Sequence, residues 1–234
     1  MKITILTLFP EMFRGPFNES IVKRGIEKGL VDIEIKNIRD FGNGAHRVVD
    51  DKPYGGGIGM VMKVDVLDNA IENAKIPNLV TAEQKVVLLD PRGEKFQQKT
   101  AKDFSKLQHL LIVCGHYEGV DERVRDLVDS TISIGDYITT GGEIPAMLIT
   151  DSVVRLIDGV LKDDATKHES FRIEKNQTLL EYPQYTTPQE YKGKRVPDIL
   201  LSGNHKNINE WRYSESVKIT KKHRPDLLIV QAEQ

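Results

Sequence analysis

The chain has 234 residues, 39% of them hydrophobic and 29% charged, with a formal net charge of −2. This is ordinary globular composition for one large domain or two smaller ones, and the charge excludes a strongly basic nucleic-acid coat protein. One cysteine, Cys114, rules out an internal disulfide and suits the cytoplasm, while no stretch approaches the roughly 20 apolar residues that span a bilayer.

In chain order, "ITILTLF" (3–9) reads as a first buried strand, not a signal peptide: no small-residue cleavage site follows, and Glu11 lies close by. A helix is predicted over 19–28, ended by Gly29. "VDIEIKNI" (31–38) alternates strictly, as a strand with one wet face does. At 50–60, "DDKPYGGGIGM" places four glycines within five positions. Such a cluster costs backbone entropy and marks an unusual bend or a close approach to something else. A helix over 65–74 capped by Asp65 comes next, then a strand over 85–90 and a helix over 94–107. A strand over 109–115, a helix over 119–128, a strand over 129–138 and a helix over 143–158 complete the series. Strands alternating with helices predict an α/β class with a mostly parallel sheet covered on both faces. Within "LLIVCG", Cys114 reads as an inert, buried thiol.

After about residue 160 the pattern changes. "KDDATKHESFRIEKNQ" is polar and weakly periodic. The expected organisation is an α/β domain over 1–160, a flexible linker over 161–175 and a small, mainly helical domain over 176–234. Between Lys192 and Arg224 there are nine Lys/Arg and three acidic residues, a local charge of +6 that leaves −8 on the remainder.

Ligands of open α/β sheets gather beyond the C-terminal ends of the strands. Three strands here run into glycine-bearing loops: "VVLLD" into "PRG", "LLIVC" into "GHYEG", and "STISI" into "GDYITTGGE". The chain lacks the P-loop pattern, the G-x-G-x-x-G fingerprint and the G-x-S-x-G nucleophile elbow. One cysteine and six scattered histidines argue against zinc. The residues by themselves therefore imply an α/β enzyme with a small-molecule pocket of main-chain groups, its ligand unidentified, and a basic accessory domain.

"TLFPEMF", "HRVVDDKPYGGGIGMVM", "CGHYEGVDERV", "SIGDYITTGGEIPAM" and "LLEYPQYTTP…LLSGNH" together resemble the bacterial tRNA (guanine-N1)-methyltransferases, from residue 3 to about 228. The resemblance implies a SPOUT-type fold with a trefoil knot, which periodicity does not reveal. It also implies a homodimer whose active site lies at the subunit interface. The implied reaction is methyl transfer from S-adenosylmethionine to N1 of the guanosine immediately 3′ of the anticodon. A magnesium ion is allowed for but assigned to no residue.

The resemblance places the donor, bent, against Leu88, Leu89, Asp90 and Pro91, then Gly115, Tyr117, Glu118 and Gly119. Ser133, Ile134, Gly135, Asp136, Tyr137, Ile138 and Thr139 follow, with Gly141, Gly142 and Pro145 completing the slot. The general base it implies is Glu169, and the cation beside O6 is Arg155. A base on a polar segment that orders when RNA docks would assemble the site on cognate substrate. The resemblance puts His46, Arg47, Asp50, Gly57, Gly59 and Ser170 near the RNA, and the basic residues Lys192, Arg195, Lys206 and Arg212 suit its phosphates. Trp211 and Tyr213 read as core of the small domain, or as stacking platforms. The chain departs from the common family pattern at Glu169, His116 and Thr187, where many relatives carry aspartate, arginine and arginine. A related ribose 2′-O-methyltransferase and a non-catalytic RNA-binding module stand as alternatives.

Overall fold

The computed structural model describes residues 1–162 and 164–228. The chain divides into two compact units, Met1–Lys162 and the remainder. In chain order the first unit comprises β1 (Lys2–Thr7), α1 (Ser20–Glu27), β2 (Asp32–Asn37) and the two-residue strands β3 (Asp50–Asp51) and β4 (Val61–Met62). Then come α2 (Val64–Ala74), β5 (Gln84–Lys95), α3 (Gln98–Phe104), β6 (His109–Cys114), β7 (Ser130–Ser133) and α4 (Glu143–Val154).

Five strands form one parallel sheet in the order β2-β1-β6-β5-β7. Side chains of a strand alternate between faces, and here both faces are buried. Ile3 and Ile5 of β1, Val87 and Leu89 of β5, and Leu110, Ile112 and Cys114 of β6 share one core with Val22, Phe104 and Ile149 from the helices. Their neighbours Leu6, Val86, Leu88, Leu111 and Val113 form the opposite core against α2. That helix contributes Val66, Leu67, Ala70, Ile71 and Ala74, an apolar stripe at helical spacing.

Several local expectations need correction. Asp65 lies in the first turn of α2 and does not cap it; Lys63 stands at the cap. The helix expected over 94–107 is shorter, because β5 runs on to Lys95. Its pairing with β7 slips between Leu89 and Glu94, so that Ile132 faces both. Pro91 cannot donate to a ladder, and the chain bulges out at that point. The segment 122–127 is a 3-10 helix, and the strand expected over 129–138 ends at Ser133.

The second unit contains the hairpin of β8 (Arg172–Glu174) with β9 (Gln177–Leu179) and that of β10 (Glu190–Tyr191) with β11 (Lys194–Arg195). Helices α5 (Asp198–Leu201) and α6 (His205–His223) follow. Lys175 and Asn176 both take positive φ, as a two-residue hairpin turn requires. The Asn204 side chain caps α6 by accepting from the Asn207 N–H at 3.2 Å. Trp211 and Tyr213 are half-buried within this unit, Trp211 beside Tyr185 and Tyr213 under the Lys175 ammonium.

Candidate active site

A cleft of about 320 Å³ opens at the bulge within β5 and beyond the C-terminal ends of β6 and β7. It is built from the Leu89–Pro91 bulge, the loop after β6 and the segment joining β7 to α4. Sixteen of the eighteen residues expected to hold the donor line it. The other two do not. Leu88 points the opposite way along β5 and is fully buried against α2, while Asp136 pairs outward with Lys95. His116, Val120, Ile132 and Thr140 also line the cleft. The last three carry no chemical signal, whereas His116 sat inside a motif already singled out.

The loop side chains are largely committed to holding main chain in place. Thr139 donates to the Gly141 carbonyl (2.8 Å), and Ser133 Oγ both donates to the Gly135 carbonyl (3.1 Å) and accepts from its N–H (3.2 Å). The Gly142 N–H donates to the Gly115 carbonyl at 2.8 Å, joining the start of α4 to the end of β6. A Cβ on Gly142 would lie 2.7 Å from the Cys114 Cα, so this close approach excludes any side chain. Tyr117, at a positive φ of 58°, receives a hydrogen bond from Arg39 on its hydroxyl (3.4 Å). Backbone strain of this kind gathers at binding sites. Tyr117, Tyr137 and Ile138 leave large apolar surface exposed around the cleft.

Two charged groups, one in the lining and one buried behind it, bear on the cleft. Asp90 faces burial, which disfavours its charge. The Arg92 N–H, the Arg125 guanidinium at 3.0 Å and the Arg92 guanidinium outweigh that and hold its carboxyl below the usual range. Deeper in, Glu143 is 2% exposed, accepts from the Thr7 hydroxyl at 2.8 Å and lies 3.8 Å from His116 Nδ1. Burial and the neighbouring Glu143 charge push the Cys114 thiol well up, which makes it a poor nucleophile. Among the described residues no group of three or more His, Cys, Asp or Glu is placed to hold a metal.

The glycine-rich stretch lies beside this cleft. The Glu118 N–H donates to the Met60 carbonyl (3.1 Å) and the Met62 N–H to the Gly119 carbonyl (3.0 Å). A Cβ on Gly59 would meet the Glu118 side chain at 2.4 Å. Tyr54 and Ile58 project almost wholly into solvent, and Gly57 belongs to the same turn between β3 and β4. Asp50 opens β3, opposite Met62. His46 and Arg47 occupy the turn closed by the Asn43–Val48 bridge, with Arg47 paired to Asp40 at 2.7 Å.

Arg155 stands at the C-terminal cap of α4 in the first unit, whereas Glu169 and Ser170 belong to the second. There Lys192 occupies the turn between β10 and β11, and Arg195 lies 3.6 Å from Glu190. Lys206 is exposed at the start of α6, and half-buried Arg212 stacks over Tyr182 within its own unit.

Among known proteins, the profile of the family described as tRNA (Guanine-1)-methyltransferase TrmD matches residues 1–230. A tRNA (guanine-N(1)-)-methyltransferase of Dictyoglomus turgidum is 53% identical over 229 residues, covering 97% of this chain and 90% of the relative. That of Carboxydothermus hydrogenoformans is 54% identical over 233 residues, with 99% and 88% covered. That of Geobacter sulfurreducens is 51% identical over 230 residues, with 97% and 91% covered. Identity above one half along nearly the whole length leaves one assignment: the chain belongs to the tRNA (guanine-N1)-methyltransferase family.

Proposed function

We propose that this protein transfers a methyl group from S-adenosylmethionine to N1 of the guanosine immediately 3′ of the tRNA anticodon. The observation that carries the reading is the main-chain cleft at the β5 bulge and the ends of β6 and β7, in a chain of this family. Its donor set suits an adenosyl compound: amides and carbonyls for the edge of the base, and Leu89, Ile134, Ile138 and Pro145 for its faces. When bound there, S-adenosylmethionine supplies a sulfonium-activated methyl group.

The chain's own residues have three tasks. The cleft loops fix the donor's orientation and exclude water. Glu169 takes the proton from N1 of guanine as general base. Arg155 turns its guanidinium toward O6, where negative charge gathers as that proton leaves. No covalent enzyme intermediate is required, in keeping with the blunted Cys114. Asp50, His46 and Arg47, the turn holding Gly57 and Gly59, Ser170 and the basic residues Lys192, Arg195, Lys206 and Arg212 face the RNA. Most of these contacts go to phosphates, giving affinity and salt dependence.

The reading extends to a trefoil-knotted chain working as a cytoplasmic homodimer with a shared site. Ile144 and Leu148, one turn apart on α4, expose apolar surface of the kind that a second subunit covers. Among the described residues no helix is long and apolar enough to cross a membrane. Magnesium enters the proposal only as an additive to assay.

The test uses S-adenosylmethionine labelled in its methyl group and tRNA transcripts carrying G or A after the anticodon. Label should appear only with G, and digestion should return it as N1-methylguanosine. Label on a ribose, or equal transfer to A, overturns the reading. Donor and tRNA binding without transfer would leave a binding module.

A further inference from the structure

The residues on either side of Glu169 are fastened inside the second unit. The His168 carbonyl accepts from Arg172 Nη1 at 3.2 Å, and Ser170 Oγ accepts from the Glu181 N–H at 3.0 Å. Arg172 is 8% exposed. Its Nη1 also reaches the Leu180 carbonyl (3.4 Å), its Nε meets Glu174 (3.1 Å), and its Nη2 donates to Ser216 Oγ (3.0 Å). Ser216 is fully buried on α6.

One guanidinium thus joins the peptide next to Glu169 to the long helix of its unit. Burying an arginine is costly unless its donors are used, and its planar fork reaches several acceptors that a lysine ammonium cannot reach together. A clasp serving the hairpin alone would need only the Glu174 and Leu180 contacts. The arms to His168 and Ser216 instead link the Glu169 segment to α6.

We propose that Arg172 is a positioning residue for methyl transfer, aiming Glu169 by anchoring its backbone to α6. The inference rests on the reading of Glu169 as the base. It adds that the base is fixed to the helix that carries Lys206 and Arg212, so that RNA docking and delivery of the base are one event. Loss of Arg172 therefore slows the chemical step and spares binding of both substrates.

A double-mutant cycle on the full-length protein tests this, read by single-turnover transfer to tRNA at saturating S-adenosylmethionine. Glu169→Gln should slow transfer at least 100-fold, and Arg172→Ala at least 10-fold, with both dissociation constants within threefold of wild type. In the Arg172→Ala background, Glu169→Gln should cost less than a further 10-fold, because a base that is no longer aimed has less to lose. Full additivity, or wild-type transfer by Arg172→Ala, overturns the positioning role while leaving the base assignment standing. Wild-type transfer by Glu169→Gln overturns the base assignment instead, and the positioning role with it. Should Arg172→Ala fail to melt cooperatively, Arg172→Lys and Ser216→Ala carry the same cycle. Each should then slow transfer at least threefold and couple to Glu169→Gln, and additivity there also overturns the proposal.

Discussion

The Thr7 hydroxyl donates to the buried Glu143 carboxylate across 2.8 Å, tying the end of β1 to the first turn of α4. The same oxygen accepts from the Phe9 N–H at 2.9 Å. A carboxylate kept this dry needs its donors. Thr7→Val keeps the shape and removes the hydroxyl, and should destabilise the protein by roughly 1–3 kcal/mol in urea unfolding. Thr7→Ser should recover most of that. Equal stability of Thr7→Val and wild type would show that Glu143 is satisfied without Thr7.

The start of α4 also sets the floor of the cleft. A methyl group on Gly142 has nowhere to go beside the Cys114 Cα at 2.7 Å and the Gly115 nitrogen at 3.0 Å. Gly142→Ala should weaken S-adenosylmethionine binding at least 10-fold by calorimetry. Gly15→Ala, at an ordinary φ of −84° with no atom within 4 Å of the new methyl, should bind as wild type does. Undiminished binding by Gly142→Ala would count against the cleft as the donor site.

His109 makes stability depend on pH. Burial, then the Lys2 charge, lower its pKa from the ordinary 6.5 to about 4, with Lys36 adding to the shift and Glu34 opposing it. The neutral ring bonds Gln84 at 2.6 Å through Nδ1 and Thr4 at 2.9 Å through Nε2. An unfolded chain takes up this proton below pH 6.5, the folded one only near pH 4, so stability falls between those values and levels off below them. The loss attributable to His109 is at most roughly 3 kcal/mol. Urea unfolding at pH 7.5 and 4.5 should show a smaller difference for His109→Gln than for wild type. An unchanged difference would mean that other groups set the slope.

Glu169→Gln and Arg155→Ala should retain S-adenosylmethionine binding within threefold and each lose about 100-fold in kcat, the scale of one general base or one charge-stabilising donor. The Glu169→Gln loss should not be recovered by raising pH. Normal turnover by either variant would remove that residue from the mechanism.

Much of the cleft lining is legible in the sequence. The runs at 85–90 and 109–115 announce buried strands by β-branched and aliphatic content, and the glycines behind them mark loops where backbone approaches backbone. Leu88 shows where such reading stops. It shares a motif with Leu89, yet the two-residue period of a strand sends it into the opposite core. The helix expected from residue 94 failed because a pairing partner, β7, draws Glu94 and Lys95 into the sheet, overriding local preference. The short strands of the second unit were invisible, since two or three residues leave no periodic trace.

Residue types and their spacing are enough to mark the alternation of strand and helix, the burial of Cys114 and the motifs that tie the chain to its family. These follow from local chemistry and from spacing along the chain. That Thr7 meets Glu143, that Gly59 abuts Glu118, and that Arg172 grips the peptide beside Glu169 emerges from the folded chain alone. Two of these contacts join residues far apart in the chain, and the third depends on a hairpin and helix that bring Ser216 to Arg172. Side chains meet there because sheet order and packing carry them together, and nothing in the spacing of the residues records it.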